Sequence, residues 1–341
     1  MSALSYLRWP LAFTALGLAL AAALGWREGG MPGALSWLFL GTVLAALEIS
    51  LSFDNAIVNA NKLKTMTPEW QHRFLTWGIL IAVFGMRVIF PIAVVVVAAR
   101  VGPIEAVRLA ASEPETYAAI MHEAHLGIAA FGGTFLMMVA LSFFVDAHGQ
   151  KEHDWFAPLE RRIRAVGSLR GVEIALVLGV VLAFASALEG ERAATFLHAS
   201  VWGLVTFLGV ELLGAALDRA QSSKEVAAGG LGAFLYLEVL DASFSFDGVI
   251  GAFAITQNLF LIAIGLGIGA VYVRTMTIML VERGTLAEFR YLEHGAFYSI
   301  LALSLIMFSQ SLVHVPEILT GLIGAALIGA ALLASIRART A

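Results

Sequence analysis

The sequence predicts an all-α polytopic membrane protein of about ten transmembrane helices built around an inverted three-helix repeat. Three observations predict it: an apolar composition, an alternating distribution of basic residues, and an acidic motif that occurs twice. Of 341 residues, 60% are hydrophobic and 13% charged. The mean hydropathy is +0.86, far more apolar than a soluble domain needs. Apolar stretches of the roughly 20 residues that cross a bilayer follow one another, with short polar joints between them. They read as spans at 7–25, 34–60, 74–99, 124–145, 172–190, 194–217, 230–256, 258–280, 292–314 and 316–335. Lipid is therefore the expected surrounding, and a net charge of −4 gives nucleic acid no hold. There is no cysteine, which excludes disulfides, thiolate metal sites and cysteine nucleophiles; a metal must be held by oxygen, imidazole or thioether.

Lysine and arginine collect in alternate loops when helices are counted correctly. On one side fall Arg8, Lys62, Lys64, Arg73, Lys151, Arg161, Arg162, Arg164, Arg170, Arg219, Lys224, Arg283, Arg290, Arg337 and Arg339; on the other only Arg27, Arg100, Arg108 and Arg192. Both termini are thus expected in the cytoplasm, with the chain multi-pass in the inner (plasma) membrane. Residues 1–30 read as an N-terminal transmembrane helix or signal anchor. Arg8 before an apolar core ending in Ala21, Ala22 and Ala23 also suits a cleaved signal, and both readings deliver Arg27 to the far side.

The remaining organisation is a first repeat at 34–145, a cytoplasmic loop at 146–171, two linking helices at 172–217, a second, inverted repeat at 230–314 and a C-terminal helix at 316–335. The loop carries Asp146, His148, Glu152, His153 and Asp154 before its arginines. A solvated, orienting loop is the plain reading, and a metal-sensing loop the alternative.

The duplicated motif is Glu48-Ile-Ser-Leu-Ser52-Phe53-Asp54 and Asp241-Ala-Ser-Phe-Ser245-Phe246-Asp247. Each copy is followed by a helix with an internal arginine, Arg87 or Arg274, and then by a helix entered through Glu123 and His125 or through Glu293 and His294. The copies start in the second and seventh helices, so they traverse the membrane in opposite directions, the arrangement of many secondary transporters.

Charges at that depth cost roughly 2.5 kcal/mol each and upward. Glu48, Asp54, Glu238, Asp241 and Asp247 outnumber Arg87 and Arg274, which are cast as ion-pair or gating residues. The surplus must be protonated or must neutralise a bound cation. With Asn55 beside them and Ser52 and Ser245 in support, these oxygens suit hard cations such as Mg²⁺, Ca²⁺ and Mn²⁺, and exchange against protons follows naturally. Glu48, Ser52, Asn55 and Asn59 share one helix face, and Glu238, Asp241, Ser245 and Gly248 another, while Asp54 and Asp247 lie about 120° away. Either the helices unwind near Asp54-Asn55 and Asp247-Gly248, or the two faces serve different roles, one at the ion and one at an arginine.

His122-Glu123-Ala-His125 lacks the spacing of a zinc-protease helix and is at most an outer metal vestibule. Gly265, Gly267 and Gly269 lie inside an apolar span and predict close helix packing. Pro91 predicts a kink. Glu211 and His198 either extend an ion path or pair within the bundle.

At Leu47 to Asn59 and again at Leu237 to Val249 the sequence resembles the TerC family of integral membrane proteins, named for tellurium resistance, and more narrowly its branch of unknown function. The likeness runs from about residue 34 to about residue 314. It implies a fold related to LysE-type transporters, with manganese export as the role of several members and Glu48, Asp54, Asn55, Asp241 and Asp247 at the ion site. The second copy departs from the first at Asp241 and Gly248, and Glu238 is an additional acid. The reading that follows is no enzyme but a secondary transporter exporting a divalent metal as substrate, with Mn²⁺ favoured. The rival is a membrane scaffold of a tellurite or envelope-stress resistance complex. An intramembrane aspartyl protease is disfavoured, because neither aspartate follows Gly-x-Gly.

Overall fold

The computed structural model describes residues 3–145, 154–166, 171–221, 230–313 and 315–340. Every regular element among them is a helix. The first, α1 (Ala3–Leu51), is two antiparallel arms. Gly29 leaves helical geometry and Gly30 takes φ 59°, ψ −144°, a conformation costly for any residue with a Cβ. Beyond the bend the arms touch without side chains between them: a Cβ on Gly25 would lie 2.4 Å from the Gly33 carbonyl oxygen.

Ser52, at φ −104°, ψ 17°, separates α1 from α2 (Phe53–Leu63). The next span is composite: α3 (Pro68–Leu80), a π-helical segment (Ile81–Ile89) and α4 (Phe90–Ala99). Pro91 sits in the first turn of α4, so the expected proline distortion takes the form of a widened helix just before it. Arg100, at φ 54°, ends this span.

The connection after residue 99, which lies between two expected spans, is itself helical, with α5 (Pro103–Ser112) leading into a long α6 (Pro114–Val145). Each begins at a proline, which suits a first helical turn. The charges of this stretch disguise α5 as a loop, but its Ala106 and Ala110 are buried in the core.

The short α7 (Ala157–Val166) precedes α8 (Val172–Ser186) and α9 (Gly190–Gln221). Then come α10 (Leu231–Ile255), α11 (Leu259–Glu282), a turn α12 (Thr285–Glu288), α13 (Leu292–Ser309) and α14 (Glu317–Thr340). The two tightest joints are real turns. Gly190 takes φ 56° between α8 and α9, and the Asn258 side chain accepts from the Phe260 and Leu261 amides at 3.0 and 3.1 Å to cap α11.

Seven of the described helices are long and apolar enough to cross a membrane. With α1 counted as two arms, the short apolar α8, and α10, which matches them in length but carries three acids, the segments agree with the ten expected. The chain is an all-helical, multi-pass membrane protein.

Helix α11 lies at the centre, against α1, α2 and the π segment. Its glycines permit this: a Cβ on Gly265 would come 2.5 Å from that of Leu44, which is the close packing the glycine row predicts. One apolar core joins α2, α6, α8, α9, α10 and α13, and a second joins α1, α4, α5, α6, α10 and α11. The duplicated acidic motifs lie between them.

Candidate functional site

The second arm of α1 delivers Glu48, and α2 delivers Asp54, Asn55 and Asn59, all buried. Glu48 accepts a hydrogen bond from Arg87. Arg87 in turn donates to the Ala82 carbonyl at 2.8 Å and to Ser245 Oγ of the other copy at 3.0 Å. Both Arg87 and Ala82 lie in the π segment, so the local widening supplies the arginine with a backbone acceptor. Glu48 fits only because its neighbours are glycines: a Cβ on Gly269 would meet its Cγ at 2.1 Å, and one on Gly248 its Oε2 at 2.9 Å.

The second copy repeats this pairing. Arg274 donates to Asp241 Oδ2 at 2.8 Å and to the Gly78 carbonyl of the first copy at 3.0 Å. Its guanidinium lies 3.7 Å above the Phe74 ring. The other oxygen of Asp241 accepts from Asn59 Nδ2 at 2.6 Å, which ties the copies together. Glu238 stands 3.9 Å from Arg274, and neither of its carboxylate oxygens has a hydrogen-bond partner.

Asp54 stands apart. It accepts from the Asn55 amide and from Ser299 Oγ of α13, both at 2.8 Å, and among the described residues it has no cationic partner. It borders a cavity of about 40 Å³, together with Glu48, Ser52, Asn55, Ser299 and Thr320. A water needs about 10–15 Å³ of such space, so a cation with one or two waters fits. Asn55 Oδ1 and Thr320 Oγ1 are buried there without a hydrogen-bond partner. Carboxylate, amide and hydroxyl oxygens around a small void are the donor types that hard cations take.

The six expected metal residues therefore do not converge on one point. Glu48, Asp54 and Asn55 border the cavity; Glu238 and Asp241 gather at Arg274; Asp247 lies on α10, with its side chain outside the described set. No cluster of three histidine or acidic side chains suited to a metal occurs among the described residues, and His122, Glu123 and His125 form none. Glu238 and Asp241 belong to the other copy and are drawn to Arg274, away from the cavity that Glu48 and Asp54 share. In the first copy the chain leaves helical geometry at Ser52, between Glu48 and Asp54, so unwinding occurs there, and the two acids also take different partners, Arg87 for Glu48 and Ser299 for Asp54. Helix α10 runs unbroken through Asp247-Gly248, which corrects the expected unwinding there: Gly248 makes room for Glu48 instead. Ser299 and Thr320 were not foreseen. Thr320 lies in the helix outside both repeats, and nothing in the motif pointed to it.

Replacing Gly269 by Ala inserts a methyl where Glu48 passes. The expected loss is about 1–3 kcal/mol, read as a lower thermal midpoint of the purified protein, whereas the same change at Gly329, where an added Cβ meets nothing within 4 Å, leaves it unmoved.

Outside the membrane spans, α7 is docked by Glu160, which is buried. The carboxylate accepts from the Phe156 amide and the Tyr298 hydroxyl, both at 3.1 Å, with His294 Nε2 at 3.3 Å. Burial pushes its pKa up, but His294 and these donors outweigh that and hold it below the ordinary glutamate value of 4.5. A depressed carboxylate stabilises above its ordinary pKa, and the contribution fades as pH falls through the lowered value. Protection of residues 157–166 against hydrogen exchange is thus expected to hold at neutral pH and to decline below about pH 4.5. In Glu160→Ala it should fall about tenfold even at neutral pH, the equivalent of about 1.4 kcal/mol. The acids and histidines at 146–153 lie outside the described residues.

A family model described as a protein of unknown function (DUF475) matches residues 53–341. The match includes Asp54, Asn55, Arg87 and the whole second copy, and begins just past Glu48. No curated protein and no solved structure matches the chain.

Proposed function

We propose that this chain, which belongs to the DUF475 family, is a secondary transporter that exports a divalent metal cation through the Asp54 cavity. One observation carries the reading: a buried carboxylate that neither arginine reaches faces a void walled by uncommitted oxygens. Such a carboxylate has to be neutralised by a proton or by a cation. Exchange of one for the other at the same group is antiport, and two inverted repeats rocking about the site give alternating access.

The resemblance to the TerC family favours Mn²⁺ as substrate and a LysE-type relationship. Asp241, Gly248 and Glu238, where the second copy departs from the first, leave Ca²⁺ and Mg²⁺ in competition. The basic residues favour the inner membrane with both termini cytoplasmic. The scaffold of a tellurite or envelope-stress complex is favoured by the two arginine–acid pairs, which are what a static bundle requires. It leaves Asp54 and its cavity unexplained.

Radioactive Mn²⁺ flux in proteoliposomes under an imposed pH gradient tests the proposal. Gradient-dependent flux, reduced by competing cations in order of their preference, is the expected result. A folded protein that moves none of Mn²⁺, Ca²⁺ and Mg²⁺ ends the transporter reading and leaves the scaffold.

A further inference from the structure

A second, much larger hollow of about 870 Å³ lies among the ends of α2, α6 and α9 and the beginnings of α10 and α13. Its wall is mixed: Lys62, Thr65, Ser142, Glu211 and Tyr236 interrupt an apolar surface. Lys62 Nζ lies 5.1 Å over the Tyr236 ring. Glu211 is exposed although it lies within the apolar span Gly190–Ala216. A carboxylate there is costly against lipid and inexpensive against water, which favours water over lipid in the hollow.

Helix α2 connects this hollow to the cation cavity. Lys62 lines the hollow; Asn59, one turn inward, is fully buried and donates to Asp241; Asn55, one turn further, lines the Asp54 cavity. Residues at this spacing occupy one helix face. The polar row is continuous, and the Asn59–Asp241 bond closes it between the two voids.

We infer that the hollow is an aqueous vestibule for the divalent cation on the Lys64 and Arg73 face, with Glu211 as the acid it presents and Asn59–Asp241 as its closed floor. The inference rests on the transport reading, but water access is measured without flux. The chain has no cysteine, so single cysteines are unambiguous reporters. Ser142→Cys and, independently, Leu208→Cys are placed in proteoliposomes and exposed to charged, membrane-impermeant methanethiosulfonate reagents from one side at a time.

Modification from the Lys64 face alone is expected. Adding Glu211→Gln should slow the positively charged reagent several-fold relative to a neutral one of the same size. If both cysteines resist charged reagents from either side yet react with a lipid-soluble maleimide, lipid fills the hollow and the inference is overturned. An unchanged reagent preference in Glu211→Gln overturns the role of that residue. A dry hollow defeats the vestibule even where Mn²⁺ flux is found, and absent flux defeats the transport reading even where the hollow is wet.

Discussion

Asp54→Asn is expected to abolish cation movement while the helices remain assembled. Asparagine has nearly the shape of aspartate, and its oxygen still accepts from Ser299 Oγ or the Asn55 amide, the two contacts Asp54 makes. What disappears is the one carboxylate in the cavity with no arginine beside it. Charge-assisted contacts are each worth about 1.5–3 kcal/mol, and loss of about 3 kcal/mol is more than a hundredfold in binding. Flux at limiting Mn²⁺ should fall by at least about that factor, with the thermal midpoint unchanged or raised, because a buried charge has been removed. Ser299→Ala, which takes away one donor and no charge, should reduce flux far less. A variant that transports as well as the intact protein would remove Asp54 from the path.

The largest effect on stability is expected at the opposite kind of residue. Arg274→Met leaves Asp241 and Glu238 without their shared guanidinium in a site where Arg274 is 2% exposed, and it also ends the contact with Phe74. Removing one partner of a buried ion pair costs on the order of 3–5 kcal/mol. The protein should unfold at markedly lower temperature and detergent concentration. The triple variant Arg274→Met with Asp241→Asn and Glu238→Gln should recover most of that loss, because uncharged side chains no longer need the arginine. No recovery would mean that Arg274 acts through packing alone. Arg87→Met and Glu48→Gln form the matching pair in the first copy.

Much of this arrangement was legible in the sequence because it depends on quantities sequence carries directly. Span length and the alternation of basic loops place the helices, and an acid followed by a buried arginine in each copy anticipates Glu48–Arg87 and Asp241–Arg274. The helical offset between Glu48 and Asp54 anticipates their different partners, Arg87 for one and Ser299 for the other.

The rest depends on contacts between segments far apart in the chain. Asn59 shares a stripe with Glu48, yet its partner is Asp241, 182 residues away. Ser299 is an ordinary serine until α13 packs on α2, and Thr320 until α14 closes the cavity. The π segment was hidden because its residues are as apolar as any α-helix, and only Pro91 marks the disturbance. Gly248 read as a helix breaker for lack of the one fact that decides it, the Glu48 carboxylate lying against it.

The most direct test of the account is the anomalous scattering from a crystal of the protein soaked in Mn²⁺. The account predicts a peak in the cavity between α2, α13 and α14, within coordination distance of the Asp54 carboxylate and Asn55 Oδ1, and its absence from crystals of Asp54→Asn. Peaks confined to surface carboxylates, with the Asp54 cavity holding no metal at saturating Mn²⁺, would contradict it.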